Sequence, residues 1–257
     1  MKAKARLSVI LFTLSLVLIA VLAPVSIIAT RDVYYVNQFK KIGLYPEEGE
    51  SITVKYIGGN SENTAEFTAQ QMDDIIAHIT AFMSNKKDSF ALKLDGVMLN
   101  GTKTDGVDIF GEEAVTHMKD VVPAFVAVNV GLLLCSAVAL VCGIFMLLKK
   151  SNVRPYIFKY SLGVVIGIFS AAALFLGTVL IIHLSKGGAT YFDTLWEILH
   201  HVFFPFSPDK FSGSFFNDTL TMLLNSEFFM NTVVTVVINI IALTAAWLFS
   251  AKLISKR

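Results

Sequence analysis

Charged residues are scarce in this chain. Asp, Glu, Lys and Arg make up 16% of its 257 residues, whereas they make up about a quarter of a typical soluble domain. Hydrophobic residues account for 54% of the chain, above the usual share of about 45 to 50%. This composition excludes an ordinary water-soluble domain and indicates a chain that lies largely in a membrane.

Several motifs and residue types are also missing. The sequence contains no G-x-S-x-G, no P-loop, no H-E-x-x-H and no glycine-rich dinucleotide motif. It therefore does not indicate a conventional hydrolase or a nucleotide-binding enzyme. Its two cysteines, Cys135 and Cys142, lie in one apolar run, which excludes an outer domain held by disulfides. We interpret both as small apolar thiols on one helix face.

Four apolar runs of about 20 or more residues are present, and each can cross a hydrocarbon core of about 30 Å as a helix. We predict transmembrane helices at residues 7–30, 121–148, 160–184 and 228–254. The first run follows basic residues, as a signal peptide does, but it exceeds the usual apolar length of about 7 to 15 residues. We therefore expect an uncleaved anchor.

Acidic residues are absent from the two ends of the chain and from the connection between the second and third runs. These segments carry ten Lys and Arg residues, and all 20 acids lie in residues 31–120 and 185–227 with the other 11 bases. Because basic loops stay in the cytoplasm, we expect both termini to be cytoplasmic. No basic patch lies outside the membrane-flanking segments, which argues against nucleic acid as a partner.

The two acidic segments predict different structures. Residues 31–120 contain alternating segments at 51–57 and 90–94, a hairpin-like stretch, a capping-box helix starting at Thr68, and a helix from Gly111 to Asp120, which indicate a small α+β domain. Residues 185–227 contain an apolar stripe and a second amphipathic segment at 218–229, as in helices of the membrane interface. The predicted fold class is therefore membrane α-helical, with four transmembrane helices, an extracytoplasmic α+β domain between spans 1 and 2, and an interfacial helical loop between spans 3 and 4.

Histidine is the residue type best suited to proton transfer near neutral pH. Glu113 precedes His117 by four residues and Asp120 follows it by three, so both carboxylates can approach the ring on a helix. His200 and His201 are adjacent and point about 100° apart on a helix. We interpret His78 as a surface residue.

Three interpretations of these histidines remain open. They can be catalytic, they can be interfacial residues paired with acids for solubility, or His117, His200, His201 and Glu113 can bind zinc. A four-span scaffold without enzymatic activity is a further alternative, although scaffolds of the claudin or tetraspanin type rely on outer cysteine pairs that this chain lacks.

Two segments resemble motifs of a family of small bacterial four-span membrane proteins, the family that contains the lipoprotein intramolecular transacylases. Residues 111–121 (GEEAVTHMKDV) resemble its acid, spacer, His-Met-x-Asp-Val motif, and residues 199–205 (LHHVFFP) resemble its His-x-hydrophobic-Phe-Phe-Pro motif. The segment from Asp218 to Glu227-Phe-Phe follows the second motif. The family usually has an acid where this chain has His201, so the assignment between His200 and His201 stays open.

The resemblance implies an enzyme without a cofactor. Its substrates would be diacylated bacterial lipoproteins, and it would move the sn-2 acyl chain of the S-diacylglyceryl cysteine to the α-amine of that cysteine. His117 and His200 match the two functional histidines of the family, with Glu113, Asp120, His201 and Asp218 in supporting roles. The resemblance also implies a multi-pass protein of the bacterial cell membrane, with the active site on the extracytoplasmic face and membrane lipid around it.

We predict that single cysteines at Asn60→Cys and Ser212→Cys react with a membrane-impermeant maleimide added to intact cells, because both positions lie in the acidic segments. Ser151→Cys, in the basic connection, is expected to react only after the cells are opened. The background for all three is a chain in which Cys135 and Cys142 are replaced by alanine. Labelling of Ser151→Cys alone in intact cells would contradict the predicted topology and indicate the opposite orientation.

Overall fold

The computed structural model describes residues 2–186, 191, 194–195, 197–199 and 218–256. In chain order, its elements are α1 (Lys2–Thr30), α2 (Asp32–Lys41), β1 (Ser51–Lys55), β2 (Thr64–Thr68), α3 (Ala69–Met83), β3 (Lys93–Leu94), β4 (Val97–Leu99), β5 (Thr102–Thr104), β6 (Val107–Asp108), α4 (Glu112–Leu148), α5 (Lys150–Lys186), α6 (Thr219–Leu223) and α7 (Ser226–Lys256).

Four helices in the described residues are long and apolar enough to cross a membrane. They are α1, α4, α5 and α7, with mean hydropathies between 2.2 and 2.7 in their most apolar windows. Most of these windows face outward, with at most 22% of their residues buried, as expected for helices surrounded by acyl chains. The third helix begins ten residues before the predicted run, because the mixed polar and apolar residues 150–159 are also helical.

The described residues form two units. The first, the helical unit, comprises residues 2–25, the described part of 127–199, and 234–256. In it α1 packs on α5 and α7 through Ala5, Val9, Val153, Ile157 and Ala251. Small and β-branched residues at these contacts let the helix backbones approach closely.

A polar cluster joins the same three helices of the helical unit. Thr13 Oγ1 lies 2.9 Å from Ser161 Oγ, and Trp247 Nε1 donates to both hydroxyl oxygens at 3.1 and 3.2 Å. Because the hydrocarbon region offers no water, these polar atoms satisfy one another. The cluster fixes α1, α5 and α7 at one depth.

The second unit, the sheet unit, comprises residues 26–126 and 218–233. Its larger sheet is antiparallel in the order β1-β2-β4-β5, and the smaller pairs β3 with β6. Strands β4 and β5 form a hairpin whose turn residues, Asn100 and Gly101, have φ of 49° and 79°, the conformation that Asn-Gly favours in two-residue turns. The predicted hairpin-like stretch is confirmed.

Helix α3 covers one face of the larger sheet. Thr68 and Gln71 form the predicted capping box, and the apolar positions that recur at three and four are buried, including Met72, Ile75 and Ile79. They meet Val54 and Phe67 of the sheet in one core. The capping box and the 3.6-residue period therefore predicted this helix correctly.

Other local predictions need correction. The predicted strand at 51–57 ends at Lys55, because Tyr56 adopts a left-handed conformation with φ of 64°. The strand predicted at 90–94 is reduced to Lys93–Leu94, the residues that pair with β6, and Phe90 lies before it in a buried aromatic contact with Phe110 at 4.5 Å. Helix α2 was not predicted, and its residues Tyr35 and Phe39 pack on Phe228, with ring centroids 5.4 and 5.8 Å away.

The amphipathic segment predicted at 218–229 is divided between two helices. Helix α6 ends at Leu223, and α7 begins at Ser226. Asn225 Oδ1 accepts a hydrogen bond from the Phe228 amide at 3.0 Å, which is the geometry of a new helix N-cap. Of the apolar stripe predicted in residues 185–227, Leu195 and Leu199 are helical. Trp196, Val202 and Phe203 lie outside the described residues.

The prediction that His78 is a surface residue is wrong. Only 4% of His78 is exposed, because α3 turns this side chain toward Phe90 and Phe110. Its Nε2 donates to the Phe90 carbonyl at 3.0 Å, and its Nδ1 accepts from the Lys87 ammonium at 2.9 Å. Both contacts require a neutral ring with its proton on Nε2.

Burial lowers the pKa of His78, the Phe90 carbonyl opposes that shift, and the positive charge of Lys87 adds to it. Since the folded pKa is then below the unfolded value of about 6.5, the unfolded chain binds more protons just below that pH. The stability that His78 contributes is complete above about pH 6.5 and is lost as the pH falls toward the folded pKa.

We predict that the wild-type protein loses thermal stability between about pH 7.5 and about pH 5.5 more steeply than His78→Gln. A glutamine amide can donate to Phe90 and accept from Lys87, but it does not titrate in this range. Thermal unfolding of the purified proteins at several pH values measures the difference. Equal pH dependence of the two proteins would contradict the assignment.

Candidate active site

The candidate site is built around the first turn of α4 in the sheet unit. The helix begins at Glu112, directly after the buried residue Gly111. Glu112 and Glu113 occupy the first turn, where negative side chains interact favourably with the free N–H groups of a helix start. The predicted helix from Gly111 to Asp120 is confirmed, and it continues without a break through Pro123 to Leu148.

Asp218 joins this turn to a second helix start. Its Oδ2 accepts a hydrogen bond from the Gly111 amide at 2.7 Å, and its Oδ1 accepts one from the Leu220 amide at 2.8 Å as the N-cap of α6. Only 2% of Asp218 is exposed. One carboxylate therefore satisfies two buried N–H groups that lie more than 100 residues apart in the chain.

Two glycines allow this close approach. A Cβ atom placed on Gly111 would lie 2.6 Å from Asp218 Oδ2, closer than real Cβ atoms approach, and 3.0 Å from the Cα of Gly59, which is also unusually tight. Gly59 also has φ of +74°, which favours glycine. The neighbouring Tyr56 carbonyl accepts a hydrogen bond from the Thr219 hydroxyl at 3.2 Å, so the turn at 56–59 holds the start of α6.

His117 lies farther along α4 and is 8% exposed. Ala114 and Met118, its neighbours on the helix, belong to the buried apolar core of the sheet unit. Glu113, four residues before His117, is exposed, and Asp120, three residues after it, is half-buried. By its spacing, the mostly buried His117 shares one face of α4 with an exposed carboxylate and a half-buried one.

The electrostatics of Asp218 depend on its burial and on Glu113. Burial raises the pKa of the Asp218 carboxyl, the hydrogen bonds from Leu220 and Gly111 act against that shift, and the negative charge of Glu113 adds to it. Asp218 and Glu113 are thus close enough to repel each other. Of the predicted site residues, the structure brings Asp218 together with the helix start that carries Glu113 and His117.

His200 and His201 lie outside the described residues. Among the residues that the structure does describe, no three His, Cys, Asp or Glu side chains are close enough together to hold a metal ion. Sequence reasoning missed the contact of Gly59 and Gly111 with Asp218. The available signal was the Gly58-Gly59 pair, which directly follows the predicted strand at 51–57.

Comparison with known proteins identifies one family. The family model described as lipoprotein intramolecular transacylase Lit matches residues 9–229, a range that includes His117, His200 and Asp218. No curated protein and no solved structure matches the chain significantly. The family match covers most of the chain, and it names an enzyme.

We predict that Asp218→Asn weakens the contact between the starts of α4 and α6. An amide offers one acceptor oxygen in place of two, so one buried N–H group loses its partner, which costs about 1 to 3 kcal/mol. Hydrogen exchange of the Gly111 and Leu220 amides is expected to accelerate. Asp88→Asn, at an exposed aspartate, is the matched control, and unchanged exchange at both amides in Asp218→Asn would refute the bridge.

Proposed function

We propose that this chain, which belongs to the lipoprotein intramolecular transacylase family, moves an acyl chain within the lipid-modified cysteine of a bacterial lipoprotein. The acyl chain leaves the sn-2 ester of the S-diacylglyceryl group and joins the α-amine of the same cysteine. The product is an N-acyl, S-monoacylglyceryl lipoprotein, the lyso form. Family membership supports the lipoprotein substrate.

The reaction needs protons to leave the amine nitrogen and a proton to reach the leaving glycerol oxygen. The α-ammonium of the cysteine has a pKa of about 7.7 to 8.0, and it must lose a proton before its nitrogen can attack the ester carbonyl carbon. When the tetrahedral intermediate collapses, the nitrogen gives up a second proton, the bond from carbon to the glycerol oxygen breaks, and that oxygen takes a proton. An ester is consumed and an amide is formed, so the balance requires no nucleotide and no external acyl donor.

Proximity replaces an enzyme nucleophile in this scheme. The amine and the ester belong to one molecule, and holding them in a reactive geometry removes much of the entropic barrier. The protein then has to bind apolar chains, orient the two groups and move protons. The absence of serine-hydrolase and nucleotide-binding motifs from the sequence agrees with these limited demands.

We assign the removal of the ammonium proton to His117. The assignment is supported by the resemblance of residues 111–121 to the family motif and by the position of His117 on a helix whose start is held by Asp218. Glu113 can orient the imidazole from one helical turn away. The buried core formed with Ala114 and Met118, the helix neighbours of His117, suits a substrate with acyl chains, and exclusion of water would protect the ester from hydrolysis.

We assign the protonation of the leaving glycerol oxygen to His200. This assignment is supported by the resemblance of residues 199–205 to the second family motif. In our proposal Asp120 and His201 support the two histidines, and the reaction takes place on the extracytoplasmic face with both termini in the cytoplasm. The charge asymmetry of the sequence supports that orientation.

The observation that carries the proposal is the family match over residues 9–229, a range that contains both histidine motifs. The buried imidazole of His117, on the helix whose start is held by Asp218, adds a chemical reason. A neutral histidine is an efficient proton acceptor near pH 7, since its unperturbed pKa is about 6.5.

We predict that His117→Ala and His200→Ala each abolish conversion of diacylglyceryl lipoprotein to the lyso form, because both proton transfers are needed. The double variant is expected to be little worse than either single one, since residues that act as a unit are not additive. Mass spectrometry of amino-terminal lipopeptides from bacteria that express each variant measures the conversion. The host must lack this activity of its own.

Two variants control for nonspecific damage to the site. His201→Ala is expected to keep activity, and Glu113→Gln is expected to lose less activity than His117→Gln at equal protein abundance. Activity in His200→Ala combined with its loss in His201→Ala would move the assignment by one residue. Full activity in both His117→Ala and the double variant would refute the histidine mechanism.

A further inference from the structure

An open groove lies between α1 and α4 in the helical unit. Its volume is about 220 Å³, and it is lined by Lys4, Leu7, Ser8, Leu11, Val141, Cys142 and Phe145. The residues on α1 lie at positions 4, 7, 8 and 11, so each is three or four residues from another and together they form one face. This face extends about 10 Å from Lys4 to Leu11.

Next to the groove, α1 and α4 approach closely at a glycine. A Cβ atom on Gly143 would lie 3.3 Å from the Phe12 ring, so the two helices are in tight contact there. On its other side α1 packs against α5 through Ala5 and Val9. The groove therefore lies on a face of α1 that no other described helix covers.

The walls are apolar, with one positive charge. The Ser8 hydroxyl donates to the Ala5 carbonyl at 2.9 Å within its own helix, so it does not require a partner in the groove. The Lys4 side chain is the charged group of the lining. Lys149, which is exposed, lies one helical turn beyond Phe145.

The positive charges at this end of the helical unit have no acidic counterparts in the nearby sequence. Residues 1–31 and 121–192 contain no Asp or Glu. Arg6, the next base on α1, is held on the α5 side, where its guanidinium stacks on Tyr156 and Tyr160 at 4.9 and 5.9 Å from the ring centroids. Lys4 thus stays available for an anion at the groove.

We propose that this groove binds an anionic glycerophospholipid of the surrounding membrane. One acyl chain lies along Leu7, Leu11 and Val141, and the phosphate group interacts with the ammonium groups of Lys4 and Lys149. The complementarity is that of an apolar tail joined to a negative headgroup. The groove lies near the carboxyl end of α4, whereas His117 lies near its amino end, so this lipid is distinct from the reacting lipoprotein, and the proposal does not depend on the transacylase mechanism.

Native mass spectrometry of the purified, delipidated full chain tests the proposal. The protein is incubated with phosphatidylglycerol or with phosphatidylcholine that carries the same acyl chains. We expect retention of one phosphatidylglycerol several-fold above phosphatidylcholine, with the preference decreasing as salt increases. Lys4→Gln is expected to remove most of the preference, whereas Lys252→Gln, which removes an exposed lysine from α7, is expected to keep it.

A second pair of variants tests the groove itself. Val141→Trp fills the groove and is expected to reduce retention of phosphatidylglycerol, whereas Val237→Trp, at an exposed valine of α7, is not. Circular dichroism verifies that each variant is folded. Equal retention of the two lipids by wild type, or equal losses in Lys4→Gln and Lys252→Gln, would overturn the proposal. A dimer that Val141→Trp dissociates would assign the groove to a second copy of the chain and would also overturn it.

Discussion

The sheet unit depends on one buried carboxylate. Asp218 accepts hydrogen bonds from the Gly111 and Leu220 amides, and these donors stand at the starts of two helices. A buried charge is costly unless such donors compensate for lost hydration. The contact in turn requires the glycines at 59 and 111, since a side chain at Gly111 would displace the carboxylate. The position of the helix that carries His117 follows from this arrangement.

The same helix presents a titratable side chain next to core residues. His117 lies between Ala114 and Met118, which both belong to the core, while the acids of the helix face outward or are half-buried. In the proposed chemistry this imidazole takes a proton from an amine, and the buried core beside it would keep water away from the ester.

The helical unit separates its polar groups by depth. In the apolar region, Thr13, Ser161 and Trp247 satisfy one another, whereas the basic residues lie toward the chain ends and the connection of α4 to α5. Arg6 uses aromatic rings as partners, and the proposed lipid would provide the anion for Lys4. Aromatic rings and a lipid phosphate can each stabilise a positive charge near a membrane surface without an acidic side chain.

The sequence by itself determined the four apolar helices, the charge asymmetry and helix α3, because length, hydropathy, capping residues and the 3.6-residue period are local properties. It also indicated the family and the histidines at 117 and 200, whose catalytic roles stay predictions. Only the tertiary structure decided that Asp218 joins two helix starts, that His78 is buried, and that Phe228 holds α2 in place. These features depend on contacts between residues far apart in the chain, and no local pattern encodes which distant donor or ring will meet a given side chain.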